Sequence, residues 1–236
     1  MRVRIRFSKQ EPLQYIGHLD VMRFFQKAIR RAGLPAAYSG GFSPHILMSF
    51  ASPLGVGKVS ESEYFDLDLR EDIPCDEIVA RLREQMAPGM DVRAAAVIEE
   101  SKKANGMRVI AAASYTVTLP GDLPSFTEEQ VTRFLKEEKI EVLRKTKKKE
   151  ELTDIRPWIY EMSSCKNDLT MLLSAGSLYN LKPELVLQAI AERTGRKISG
   201  TGVRICRNEL YADRGTGEDR KLVSLLDCDR IKEDAD

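Results

Sequence analysis

Residues 2–32 read RVRIRFSKQEPLQYIGHLDVMRFFQKAIRRA, and the change of period within them decides the fold. Over 2–7, arginine alternates with Val3, Ile5 and Phe7, the period of two expected of a strand with one buried face. Over 19–32 the period lengthens. At about 100° per residue, Val21, Met22, Phe25, Ile29 and Ala32 fall on one side of a helix, and Arg23, Lys27, Arg30 and Arg31 gather on the other. Gly33 and Pro35 stop the helix. One face packs, and the other meets water or an anion.

Working outward, 45–51 and 63–69 (EYFDLDL) are strand-like, the second with clean apolar and acidic alternation. Ile78, Val79, Leu82 and Met86 have helical spacing over 76–86, and 91–99 closes as a strand. The order is βαββαβ. It recurs more faintly downstream: strand 114–119, charged helix 128–138, strands 141–144, 154–162 and 169–174, helix 183–193 and strand 203–211, with 221–226 returning as a hairpin. The sequence therefore predicts an α+β protein of two tandem ferredoxin-like (βαββαβ) units with a C-terminal β-hairpin. Residues 1–100 form the first domain, with the basic helix and a Gly/Ser/Pro loop. Residues 101–112, opening on SKKANG, are the linker, and 113–236 form the second domain, with the hairpin and an acidic tail. A chain of 236 residues is long enough for two such cores.

Composition narrows the function classes. With 42% hydrophobic residues the chain is too apolar for disorder, and a net charge of +1 argues against bulk DNA while leaving room for local basic patches. No run approaches the roughly 18 apolar residues of a membrane span, and MRVRIRF lacks the apolar core of a signal peptide, so a cytoplasmic protein without membrane contact is expected. Cys75, Cys165, Cys206 and Cys228 are scattered with no CxxC pair, and His18 and His45 are the only histidines. Neither a zinc site nor an iron–sulfur cluster is expected, and no cofactor.

Three features could carry chemistry. Arg23, Lys27, Arg30 and Arg31 could neutralise phosphates of an RNA backbone, or simply form a solvated helix face. A second cluster follows at 144–149, where five of six residues are basic (Arg144, Lys145, Lys147, Lys148, Lys149), with Arg156 just beyond. A lysine-rich hairpin loop kept for solubility has the same composition. The loop 38–58 holds Tyr38, His45 and Lys58, groups that could supply a base, an acid and a cation for metal-free RNA cleavage. Against that stands a plain structural role for His45 at a strand start, and a capping or packing role for His18. Trp158, in DIRPW, could stack on a base or pack a domain interface. The turns SAGS (174–177) and SGTG (199–202) match no nucleotide-binding fingerprint, although SAGS precedes a helix N-terminus able to bind an anion.

The stretch GHLDVMRFFQKAIRRAGLPAAYSGGFSPHILMSFASPLGVGKVSESEYFDLDL resembles the signature of the radical-SAM-linked domain of unknown function, and DIRPWIYEM with LLSAGSLYNLKPELVL resembles its second signature. The resemblance covers nearly the whole chain. It implies a partner, since members of that family are fused to, or encoded beside, a radical SAM enzyme, often near genes for ribosomal proteins and ribonuclease. One departure is Gly17, where the family commonly has serine, which removes a hydroxyl cap from the helix. A remoter similarity is to the tandem ferredoxin-like RNA-binding proteins of CRISPR systems, with SGTG shorter than their glycine-rich loop. The radical chemistry itself needs a cysteine-ligated cluster and would belong to the partner. The sequence thus points to a non-catalytic RNA-binding accessory protein for a radical SAM enzyme. The alternatives are a metal-independent endoribonuclease centred on His45 and a protein-binding adaptor that never touches RNA.

Overall fold

Val3, Ile5 and Phe7 of the first strand, β1 (Arg2–Lys9), bury one face against α1 (His18–Arg31), as the alternation requires. The computed structural model describes every residue except 100–103, 122, 124, 146–149, 177–178, 199–201, 216–218 and 231–236. The chain continues through β2 (Met48–Phe50), β3 (Val59–Asp68), α2 (Cys75–Arg83), β4 (Met90–Ile98), a short α3 (Gly106–Val109) and β5 (Ile110–Thr118). Then come α4 (Glu128–Leu135), β6 (Glu141–Lys145), β7 (Glu150–Asp154), β8 (Ile159–Cys165), β9 (Asp168–Ser174), α5 (Pro183–Arg193), β10 (Arg204–Asp213) and β11 (Leu222–Ser224). The protein is an α+β fold. By internal packing it divides into Met1–Ala111 with Glu209–Asp236, and Ala112–Asn208.

In the first unit β1 lies antiparallel between β3 and β4, and β2 lies antiparallel to β3, which gives the order β4-β1-β3-β2. The register of β1 on β3 sets Arg2 opposite Asp68, Arg4 opposite Asp66 and Arg6 opposite Tyr64. The two alternating sequences therefore sort twice, with apolar residues on one face and a ladder of arginines and acids on the other. The apolar face carries an aromatic cluster in which Phe25 of α1 lies 4.6 Å from Phe7 and 4.7 Å from Phe65.

The polar face is not left to solvent. Arg4 is wholly buried, its guanidinium bidentate on Asp66 (Nε to Oδ1 2.8 Å, Nη2 to Oδ2 3.1 Å) and donating to the carbonyls of Ala104, Leu225 and Cys228. Asp66 Oδ2 also accepts the amide of Gly106 at 2.9 Å. A Cβ at Gly106 would lie 3.0 Å from the Ala51 methyl, a tight contact that glycine avoids. Within 101–112, the stretch expected as the linker, Ala104 and Gly106 are buried in the first unit, while 101–103 lie outside the described residues. The C-terminal segment joins the first unit too, where β11 pairs antiparallel with the end of β10 as the expected hairpin.

In the second unit the order is β10-β5-β9-β8, with β9 antiparallel to both β5 and β8. Hairpin β6–β7 forms a separate two-stranded sheet, an addition to any βαββαβ plan, so the two units are not equal repeats. Helix α4 opens on a capping box, in which Thr127 accepts from the Gln130 amide and the Gln130 side chain accepts from the Thr127 amide. The single strand expected over 154–162 is broken at Arg156–Trp158 into a turn of 3-10 helix. Pro157 has a fixed φ and no N–H to give a ladder. Similarly, 45–51 pairs regularly only over Met48–Phe50, where three residues meet Leu67, Asp66 and Phe65.

Candidate nucleic-acid interface

The amphipathic reading of α1 corresponds to its burial. Val21, Phe25, Ala28 and Ile29 are buried, Met22 and Ala32 pack partly against the same core, and Arg23, Lys27, Arg30 and Arg31 are exposed. Gly17 caps the helix without a side-chain bond, as the missing serine hydroxyl dictates, while Asp20 in the first turn and Arg30 and Arg31 in the last complement the helix dipole. Arg23 makes only a loose 3.5 Å pair with Asp20, both well exposed, an interaction of little energetic weight. Arg31 reaches the side chain and carbonyl of Gln85. No described residue pairs with Lys27 or Arg30. Along one stripe of about 10 Å of helix axis, Arg23, Lys27 and Arg30 thus hold cationic heads in water.

The loop residues are not gathered into a catalytic set. His45 Nδ1 lies 2.8 Å from Ser39 Oγ, which also accepts the His45 amide at 3.1 Å, so the imidazole closes the loop on itself. A cavity of about 220 Å³ beside His45 is lined by Arg2, Asp66, Asp68, Ser49 and Asn105 among others; Tyr38 and Lys58 do not line it. Tyr38 bridges back to Ile46 and stands exposed, and Lys58 folds over Gly55. Because Asp68 is paired with Arg2 and Asp66 with Arg4, the cavity wall is charge-balanced and offers a phosphate no net attraction. His18 sets its ring edge-on to Phe50 at 5.1 Å, the packing role expected of it.

The second basic cluster separates into unlike parts. Lys147, Lys148 and Lys149 lie outside the described residues, and Lys145 ends β6. Arg156 has structural partners: its Nε donates to the Leu135 carbonyl at 2.8 Å and its Nη1 to that of Ile159 at 3.0 Å, closing the C-terminus of α4. Arg144 lies over the Trp158 ring, 5.8 Å from its centroid, and Trp158 stacks on Tyr179 with centroids 5.0 Å apart and planes 28° from parallel. Sequence reasoning missed Tyr179. Its only signal was an aromatic in a polar stretch after SAGS, and nothing in spacing links it to Trp158.

The described residues contain no cluster of His, Cys, Asp and Glu able to hold a metal. None of the four cysteines is in a disulfide, and burial beside Asp229 pushes the Cys228 thiol up to about 11. No described helix is long and apolar enough to cross a membrane.

Among curated proteins, none matches this chain. Among solved structures, a chain from "Crystal Structure of a Cbf5-Nop10-Gar1 Complex" is similar over 88% of this chain and 48% of its own length, with 12% identity and a TM-score of 0.45. This chain therefore spans about half the length of that one. The profile of a bacterial family matches residues 2–183, most of the chain, which therefore belongs to the uncharacterized proteins conserved in bacteria grouped as DUF2344.

Proposed function

We propose that this protein is a non-catalytic RNA-binding accessory protein whose partner is a radical SAM enzyme, acting in RNA or ribosome-related modification. The supporting observation is the outer face of α1. Arg23, Lys27 and Arg30 are exposed on a helix whose inner face is anchored by Phe25 and Ile29, and no described residue pairs with Lys27 or Arg30. Three cations presented along one face of an anchored helix suit the neutralisation of successive phosphates. The radical SAM partner follows from the resemblance of the GHLDVMRFF and DIRPWIYEM stretches. Its chemistry is assigned to that partner, and this chain contributes binding and presentation.

The test is replacement of Arg23, Lys27 and Arg30 together by Gln. None of the three lies on the buried face, and Gln is nearly as good a helix former, so stability should hardly change. RNA affinity should fall, and the slope of log affinity against log salt should shrink by about 0.7 for each single-strand phosphate no longer neutralised, roughly two units in all. A triple variant with unchanged affinity and slope would turn this face into plain surface and leave the protein-binding adaptor as the account.

A further inference from the structure

We infer that Tyr179, backed by Trp158 and Arg144, is a stacking platform for an unpaired base of the RNA strand, an inference that rests on the RNA-binding reading above. All three side chains belong to the second unit and come from separate segments, β6, the 3-10 turn before β8, and the chain beyond β9. Tyr179 is the outer member. One face lies on Trp158, and 53% of the residue remains exposed.

Tyr179 is held by its backbone: its carbonyl accepts from Ser174 Oγ at 3.1 Å, and the amide of Leu181, two residues on, donates to the Ser174 carbonyl at 3.0 Å. A ring whose backbone is tied in this way and which is stacked on a second ring loses little freedom when a base settles on its open face. The Arg144 guanidinium over Trp158 puts a positive charge beside the two rings, which attracts the phosphate backbone of a strand whose base settles on Tyr179. Exposed aromatics with an arginine are how single-stranded nucleic acid is held without reading its sequence, each base having a π-face to offer. A duplex keeps its bases stacked on one another and cannot supply one.

Trp158 is the only tryptophan in the chain, so the stack reports on itself. The experiment titrates the full chain with a single-stranded RNA dodecamer of adenosines, following tryptophan fluorescence and, separately, affinity. The expected result is a saturable change in Trp158 emission, with affinity falling about five- to a hundredfold in Tyr179→Leu and kept in Tyr179→Phe. A duplex of the same length should bind without that emission change.

Tyr179→Leu binding as tightly as the unaltered chain, or an emission change of equal size with the duplex, would overturn the platform. If Tyr179→Leu is silent while the α1 triple variant loses affinity, the platform fails and the RNA-binding reading stands. If the unaltered chain binds no RNA, both fall.

Discussion

Tyr64 of β3 donates a 2.6 Å hydrogen bond to Oε1 of Glu209 of β10, a residue 145 positions away, in the interior of the first unit. Burial is the largest influence on both groups and raises both; Arg6, with Nη2 3.5 Å from Glu209 Oε2, offsets it only in part. Arg6 is itself tied through Nε to Ser62 at 2.8 Å. The group is a compact polar island on the face of the sheet opposite the phenylalanine cluster.

Because Glu209 holds its proton more tightly folded than unfolded, its contribution to stability is complete below the ordinary carboxyl value of about 4.3 and is lost as pH rises through the raised native value. Glu209→Gln stays neutral throughout. Urea midpoints compared from about pH 4 to about pH 8 should therefore shift progressively in favour of Glu209→Gln as pH rises. A constant difference between the two proteins would contradict the raised value.

Arg4→Leu should cost about 3–5 kcal/mol, because it leaves the Asp66 carboxylate buried without its guanidinium and frees the carbonyls of Ala104, Leu225 and Cys228. Denaturant unfolding measures the loss. Removing the carboxylate as well, in Arg4→Leu with Asp66→Leu, should restore part of it. Only part can return, since Asp66 also accepts from Gly106.

Arg156→Gln should destabilise the protein by about 1–3 kcal/mol, the cost of two partly buried carbonyls losing a charged donor. The salt slope of RNA binding should not move. A slope reduced by about 0.7 with stability unchanged would return Arg156 to the phosphate-binding set.

In β1 and β3 the inner face was legible from the sequence and the fate of the outer face was not. Period-two alternation in RVRIRF and EYFDLDL placed Val3, Ile5, Phe7, Phe65 and Leu67 inside, and all five are buried. It also placed the arginines outside, which holds for a sheet with one wet face. Arg4 is buried because residues near 104 and 225–228 cover that face, and no local pattern encodes what a distant segment will cover. For the candidate site the balance is similar. The α1 stripe was visible because 3.6 residues per turn is a local rule, whereas Arg144, Trp158 and Tyr179 meet from three segments.

The sequence by itself determined the α+β class, the inward face of α1 and its outward row of Arg23, Lys27 and Arg30, because backbone period and side-chain chemistry act between near neighbours. Only the tertiary structure decided that Arg4 and Asp66 are a buried pair, that Arg156 closes α4 and that Tyr179 rests on Trp158. It also decided that His45 turns to Ser39 rather than joining Tyr38 and Lys58 in one cavity. The reason is that a polar side chain takes whichever partner the fold brings within about 3 Å, and for most of these groups that partner lies far along the chain.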